Sequence, residues 1–326
     1  MKNEVTTDQP LVTFALFAYN QEDYIQEAID GALSQNYSRL EIVFSDDCST
    51  DGTFEIMKNA AHKYRGPHQI SVRQNKRNLG VALHFDLVMR EARGEVVVVA
   101  AGDDVSMPDR SLTSVQAYIK DRRVGCIESA CTDFSGDADS ARASVTDKGE
   151  ERVFYIEDVL NGAAPKLVGA GRAYIRSRYI GYPPLLTGCP SEDTPALLRS
   201  IYGSYGLYLS APMVLRRIHQ DNLSSMKSMA SMDFGSLEKQ YLLDIESAVA
   251  IGVISLGERD SILAGLKGYV FKKKARVSAF KGFDGDIGII DILISTLISP
   301  KQKLRYFRHW LACRIVSWRK AVGLSS

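Results

Sequence analysis

Residues 95–104 read Glu95-Val96-Val97-Val98-Val99-Ala100-Ala101-Gly102-Asp103-Asp104, an apolar run that stops on two carboxylates. Consecutive β-branched residues bounded by Gly and Asp fit a strand buried on both faces. Working outward, the same pattern recurs upstream. Leu11–Ala18 and Leu40–Ser45 are apolar runs of strand length, and Gln69–Gln74 is a third strand. Between them, Asp23–Gln35, Thr53–Tyr64 and Val81–Arg93 carry apolar residues at helical spacing, and Arg110–Arg122 follows Pro108 as a fourth helix. Strands alternating with helices predict βαβ units and a parallel sheet. The expected fold is therefore α/β and Rossmann-like, a mostly parallel central sheet flanked by helices. In such sheets ligands bind at the carboxyl ends of the strands.

Composition narrows the function. The chain has 326 residues, 45% hydrophobic and 24% charged, which suits one large α/β domain or two smaller units. A net charge of +1 does not point to nucleic acid. Charge is unevenly spread, however. From Leu266 onward thirteen Lys/Arg stand against three aspartates, a balance of +10 that leaves −9 for the rest. A basic tail of this kind suggests an anionic partner of its own. Five cysteines without CxxC spacing indicate neither a disulfide framework nor a zinc site, so a reducing compartment is the simpler expectation. The polar start MKNEVTTDQP lacks an apolar leader segment, and Ile287–Ile298, interrupted by Asp291, falls short of a bilayer span. These features predict a cytoplasmic protein.

Two strands end in paired aspartates: Asp46-Asp47, followed by Cys48-Ser49-Thr50-Asp51-Gly52, and Asp103-Asp104. A hard divalent cation binds through one or two carboxylates together with substrate phosphates, and neutralises a departing diphosphate. The competing reading is that Asp46, Asp51 and Asp103 cap helices or close turns. Asn78-Leu79-Gly80 is an ordinary loop or a phosphate-facing turn, with Arg73 and Arg77 placed either to reach an anion or to be solvated. Glu192-Asp193, at the start of the helical stretch Thr194–Ser200, either favours the helix dipole or removes a proton from an attacking hydroxyl. His219 follows an apparent edge strand, Gly206–Leu215, and is a structural histidine or a ligand.

Taken in order, these pieces resemble the family-2 glycosyltransferases of the GT-A fold, especially bacterial enzymes of surface-polysaccharide and O-antigen assembly. The matching segments are Ala18-Tyr19-Asn20, Asp46–Thr53, Arg77-Asn78-Leu79-Gly80, Gly102-Asp103-Asp104 through Arg110, Glu192-Asp193, and Arg217-Ile218-His219 with Asn222-Leu223-Ser224. The resemblance covers roughly Pro10 to Ser225. It implies a nucleotide-sugar site formed by Ala18, Asn20, Asp46, Asp47, Arg77, Asn78 and Asp103, with Asp47 toward the base and Asp103 toward the ribose. Asp104 and His219 would serve a Mn²⁺ or Mg²⁺ ion and the diphosphate. Asp193, with Glu192 beside it, would be the base of an inverting transfer from a nucleotide-diphosphate sugar, UDP favoured, to a glycan or polyprenyl-linked acceptor. Cys48 stands where relatives commonly carry Gly. The implied division is a glycosyltransferase domain over 1–225, with a donor half at about 10–134 and an acceptor half at about 150–225, and a helical basic region over 226–326.

The tail segment Lys301–Lys320 sets Leu304, Phe307, Trp310/Leu311, Ile315 and Trp318 at helical spacing among basic residues. It fits either an amphipathic helix peripheral on the anionic inner face of the plasma membrane or a terminal helix packed on the domain with a solvated basic face. Two other functions compete: a non-catalytic nucleotide-binding scaffold, and an oxidoreductase, which lacks a GxGxxG after its first strand.

Overall fold

A computed structural model describes residues 9–143, 149–219, 226–283 and 287–321. Its first half runs β1 (Val12–Ala18), α1 (Ile25–Leu33), β2 (Leu40–Asp46), α2 (Thr53–Lys63), β3 (Gln69–Gln74), α3 (Val81–Glu91), β4 (Val96–Ala101), a short β5 (Val105–Ser106) and α4 (Arg110–Lys120). These elements match the sequence periodicity to within two residues at most ends. β1 is the reason: it is buried along nearly its whole length, sandwiched between parallel ladders to β2 and β4. Each buried Val, Leu or Phe contributes roughly 1.5–3 kcal/mol relative to exposure.

The second half departs from expectation. After α4 come β6 (Val124–Phe134), α5 (Ala138–Ala143), β7 (Glu151–Phe154), α6 (Ile156–Asn161), a 3₁₀ turn at Gly169–Gly171, β8 (Arg172–Ile175), α7 (Arg176–Ile180), α8 (Asp193–Ile201) and β9 (Tyr205–Arg217). The sheet order is β3-β2-β1-β4-β8-β6-β9-β5, with β7 also paired to β9. Only β1/β2, β1/β4, β2/β3 and β6/β9 are parallel; β4/β8, β6/β8, β5/β9 and β7/β9 are antiparallel. The sheet is mixed, with its long ladders parallel and its short ones antiparallel, as expected of a mostly parallel sheet. β6 and β8 escaped the sequence pattern because buried polar residues, Glu128 and Arg172, interrupt their apolar runs. β9 is no edge strand either. It lies between β6 on one side and β5 and β7 on the other, and its Pro212, which has no N–H to donate, falls where the β6/β9 register shifts.

The remainder is helical: α9 (Met226–Ala230), α10 (Phe234–Ala250), α11 (Leu256–Phe280), α12 (Ile289–Ile294) and α13 (Pro300–Ala321). Helices α10 and α11 join the same apolar core as α3, α6 and α8, through Leu237, Tyr241, Ile245, Ile262 and Leu266. A buried ion pair fastens this contact. Arg199 of α8 donates to Asp244 of α10 at 2.6 Å, and its guanidinium lies 5.2 and 5.3 Å from the Tyr179 and Tyr182 rings. Both charged groups are out of water, so deleting one strands the other. Arg199→Met is expected to lower the unfolding free energy by about 3–5 kcal/mol, whereas Arg199→Met with Asp244→Leu loses much less; urea denaturation of both variants measures the difference.

Candidate active site

The order β3-β2-β1-β4 places β1 at the point where successive strands change sides, and there the crevice opens at the carboxyl ends. In the parallel registers Ala18 sits opposite Asp46, and Phe17 opposite Ala101. The ends of β1, β2 and β4 thus come together and bring the two aspartate pairs to one edge.

At the β2 end both carboxylates are buried and their oxygens are occupied by protein donors. Asp46 accepts from the Ser49 amide at 2.8 Å and Gln74 Nε2 at 2.9 Å, and also from the Ser49 hydroxyl. Asp47 accepts from Asn75 Nδ2 at 2.6 Å and from the Leu79 and Gly80 amides, each at 2.9 Å. Asp51 accepts from the Thr53 amide at 3.0 Å and closes the turn leading into α2, whose N-cap is Gly52. The turn-closing reading therefore holds for Asp46 and Asp51, while Asp47 anchors the 78–80 loop. Asn20 (φ 50°) accepts from the Thr50 amide at 2.8 Å, and its own amide donates to Ser49 Oγ at 2.9 Å. Cys48 adopts φ 64°, the left-handed conformation that costs a Cβ-bearing residue about 1–2 kcal/mol. The turn keeps a glycine's shape although the residue is not glycine. Arg77 and Asn78 are exposed, and Asn78 accepts from the Gly80 amide at 2.8 Å.

Beneath this loop lies a network that the sequence did not announce. The His84 imidazole Nε2 is 2.6 Å from Ser45 Oγ, which accepts from Arg73 Nη1 at 2.7 Å; Arg73 Nη2 also donates to Asn75 Oδ1 at 2.8 Å. Burial pushes His84 down to about 4, so the neutral ring accepts the serine proton. Arg73 is thus committed to positioning Asn75, and through it Asp47, rather than to an incoming anion.

At the β4 end, Asp103 and Asp104 are clasped by the end of β9. The Arg217 amide donates to Asp104 Oδ1 at 2.9 Å. The Arg217 guanidinium donates to the Asp103 carbonyl at 3.3 Å and to Glu27 Oε2 at 2.8 Å, and lies 5.1 Å from the Tyr24 ring. His219 Nε2 is 2.9 Å from Asp103 Oδ2, and its ring lies 5.0 Å from Tyr24. His219 is therefore set on Asp103, the neighbour of Asp104. The Asn222-Leu223-Ser224 segment lies outside the described residues. Burial first, then the charge of Asp103, pushes Asp104 up to about 7. Two adjacent carboxylates that repel each other suit a divalent cation whose shell is completed by substrate phosphates. Among the described residues no group of three His, Cys, Asp or Glu is arranged to hold an ion unaided.

The Glu192-Asp193 pair is connected to this edge by two buried arginines. Arg110 Nη2 donates to the carbonyls of Val99 at 2.7 Å, Ala170 at 2.6 Å and Arg172 at 3.2 Å, tying β4 to the turn before β8. Arg172 Nε donates to Glu128 Oε2 at 2.6 Å, while its Nη1 reaches the Asp193 carbonyl at 2.8 Å and Asp193 Oδ1 at 3.3 Å. A Cβ on Gly171 would come within 2.2 Å of the Ser129 carbonyl, so only glycine lets this turn close onto β6. The Asp193 side chain remains 51% exposed at the start of α8. Glu192 is half-buried, and burial first, then the Asp193 charge, pushes its carboxyl up to about 8. Arg110 closes the Met107-Pro108-Asp109 segment, so its place in the motif order was the one available signal; Glu128 and Arg172 carried none.

Comparison with known proteins identifies the family and the fold. The family described as Glycosyl transferase family 2 matches residues 13–179. EpsE of Bacillus subtilis (strain 168), which bears the name of a glycosyltransferase, is 35% identical over 114 residues, 35% of this chain and 40% of EpsE. The matched segment thus spans well under half of that relative. Residues 1–349 of S. aureus TarS superpose with a TM-score of 0.59 at 17% identity, over 96% of this chain and 92% of that one. The mannosyltransferase PcManGT from Pyrobaculum calidifontis gives 0.54 at 17% identity, over 95% and 87%. The fold is shared with these proteins, and with its match over half of its length the chain belongs to glycosyl transferase family 2.

Proposed function

We propose that the chain is an inverting glycosyltransferase that moves a sugar from a nucleotide-diphosphate donor to a hydroxyl of a glycan or lipid-linked saccharide in surface-polysaccharide synthesis. One observation carries the reading: at the switch point of the sheet, Asp103-Asp104 are held by the end of β9, and Arg110 and Arg172 link that edge to Asp193. Membership of the family supports a transfer reaction. The structures of TarS 1–349 with UDP-GlcNAc and of PcManGT with GDP-Man and Mn²⁺ support a nucleotide-sugar donor. UDP is the favoured nucleotide. The anionic membrane partner expected of the tail is carried by the C-terminal helices rather than by the site.

In this reading residues 10–134 hold the donor and residues 150–225 the acceptor, with 226–326 as the helical region. Ala18, Asn20, Asp47, Arg77 and Asn78 border the base and Asp103 faces the ribose; Asp46 keeps the turn that presents them. Asp104 would hold a Mn²⁺ or Mg²⁺ ion together with the donor phosphates, with His219 nearby on Asp103, and the ion would supply charge neutralisation for the departing diphosphate. Asp193 accepts the proton of the acceptor hydroxyl as its oxygen bonds to the anomeric carbon, and the bond from that carbon to the diphosphate oxygen breaks in the same displacement. Arg172 keeps the Asp193 carboxylate oriented. A protonated Glu192 beside it limits the negative charge that two neighbouring carboxylates would otherwise accumulate.

Asp104→Asn retains an oxygen for the Arg217 amide and so keeps the fold. It is expected to cut sugar transfer at least a hundredfold and to weaken metal-dependent nucleotide binding, as read by product formation and titration calorimetry. Asp193→Asn is expected to bind donor as the parent does yet lose turnover, a split between Kd and kcat that a merely structural residue would not produce. Full activity of both variants removes the site assignment and favours a nucleotide-binding scaffold. Among nucleotides tested with Mn²⁺, a UDP-sugar is expected to raise the melting temperature most, because a ligand of the native state adds RT ln(1 + [L]/Kd) to stability.

A further inference from the structure

We propose that α12 and α13 form a docking surface for an anionic lipid membrane, with α13 lying in the plane of the interface. Helix α13 is already packed, but not by its apolar stripe. Tyr306 and Trp310 fill a small core with Phe283, Ile292 and Ile298. At about 100° per residue, Leu304, Phe307, Leu311 and Ile315 fall on a stripe roughly 80° wide; its centre is turned away from Tyr306 and Trp310, and Phe307 at its edge stacks on Trp310 at 5.8 Å. All four are exposed, Leu304 to 58%. On the same wheel Lys301 and Arg308 flank the stripe on one side, and Lys303 and Arg314 on the other. Residues 300–321 contain seven Lys/Arg and no Asp or Glu.

Next to it, α12 leaves Ile290 69% and Ile294 74% exposed, with Leu297 exposed just beyond. Scattered exposed leucines are ordinary, but apolar residues aligned on one helix face and rimmed by charge mark an interaction surface. A terminal helix docked only on its own domain would bury its apolar stripe and leave the basic face in water; here the stripe itself is outside. No helix among the described residues is long and apolar enough to cross a bilayer, so the geometry suits lying on a membrane. Charge decides between a membrane and a second copy of the chain. Basic rims attract anionic headgroups, whereas two copies joined by this face would bring like charges together.

The surface is independent of the catalytic carboxylates, so its test is separable from theirs. The full chain is floated with phosphatidylcholine vesicles and with vesicles that also contain phosphatidylglycerol. Parent protein is expected on the anionic vesicles only, released by high salt. Leu304→Glu with Leu311→Glu, and separately Lys301→Gln with Arg308→Gln, are each expected to reduce partitioning about tenfold or more. Vesicle-free donor turnover and melting temperature stay unchanged in both double variants. Absence of the parent from anionic vesicles, or equal flotation of parent and Leu304→Glu/Leu311→Glu protein, overturns the proposal. So does a dimer in sedimentation velocity that the same leucine substitutions dissociate, which would make the face an interface between copies.

Discussion

Two parallel ladders share β1, and the candidate active site depends on that sharing. A parallel neighbour cannot be reached by a tight turn, so each connection leaves the sheet, crosses as a helix and returns. The chain from β1 to β3 extends in one direction and β4 returns to the other side of β1. The loops after β1 and β4 therefore diverge, and a crevice opens between them at the carboxyl edge. At this edge the ladders close on their last rungs. The Asp47 amide donates to the Ala18 carbonyl, and the Asn75 amide to that of Asp46, which lets the side chains beyond them project in fixed directions.

The second half of the sheet completes the site by bringing charge from far away in sequence. Arg110, Arg172 and Arg217 are buried, and each spends its donors on carbonyls and carboxylates drawn from different elements. A buried guanidinium is tolerable only where nearly all its N–H groups are met, so each holds its partners to narrow geometry. Arg110 is pulled down to about 10 by burial, the signature of a cation held in a low-dielectric setting by fixed dipoles. The crevice thus takes its shape from the protein's own contacts, which is the preorganisation the proposed transfer requires.

The C-terminal helices answer to a different constraint. Helices α10 and α11 merge with the core of the sheet, whereas α12 and α13 build a second small core against the C-terminal half of α11 and leave another apolar set outside. A monomer in water would bury that set or replace it with polar residues. Its retention between basic flanks is the physical reason the surface reads as interfacial.

Local pattern determined a good deal. Four consecutive valines make a strand in almost any environment, and Ile25, Ala28, Ile29 and Ala32 line one side of a helix by spacing alone, so the alternation through α4 could be read directly. So could the placing of Asp46-Asp47 and Asp103-Asp104 at strand ends, because a strand ends where its apolar run does. Tertiary structure alone decided the rest. It set four strand pairings antiparallel and put β9 inside the sheet; it turned Asp46 into its own loop, set His219 on Asp103 and faced Leu304 outward while Trp310 packs inward. These depend on partners such as Glu128 and Arg172, forty-four residues apart. The preference of a short segment for helix or strand is a property of neighbouring residues, but the burial of a charge depends on which distant partner satisfies it.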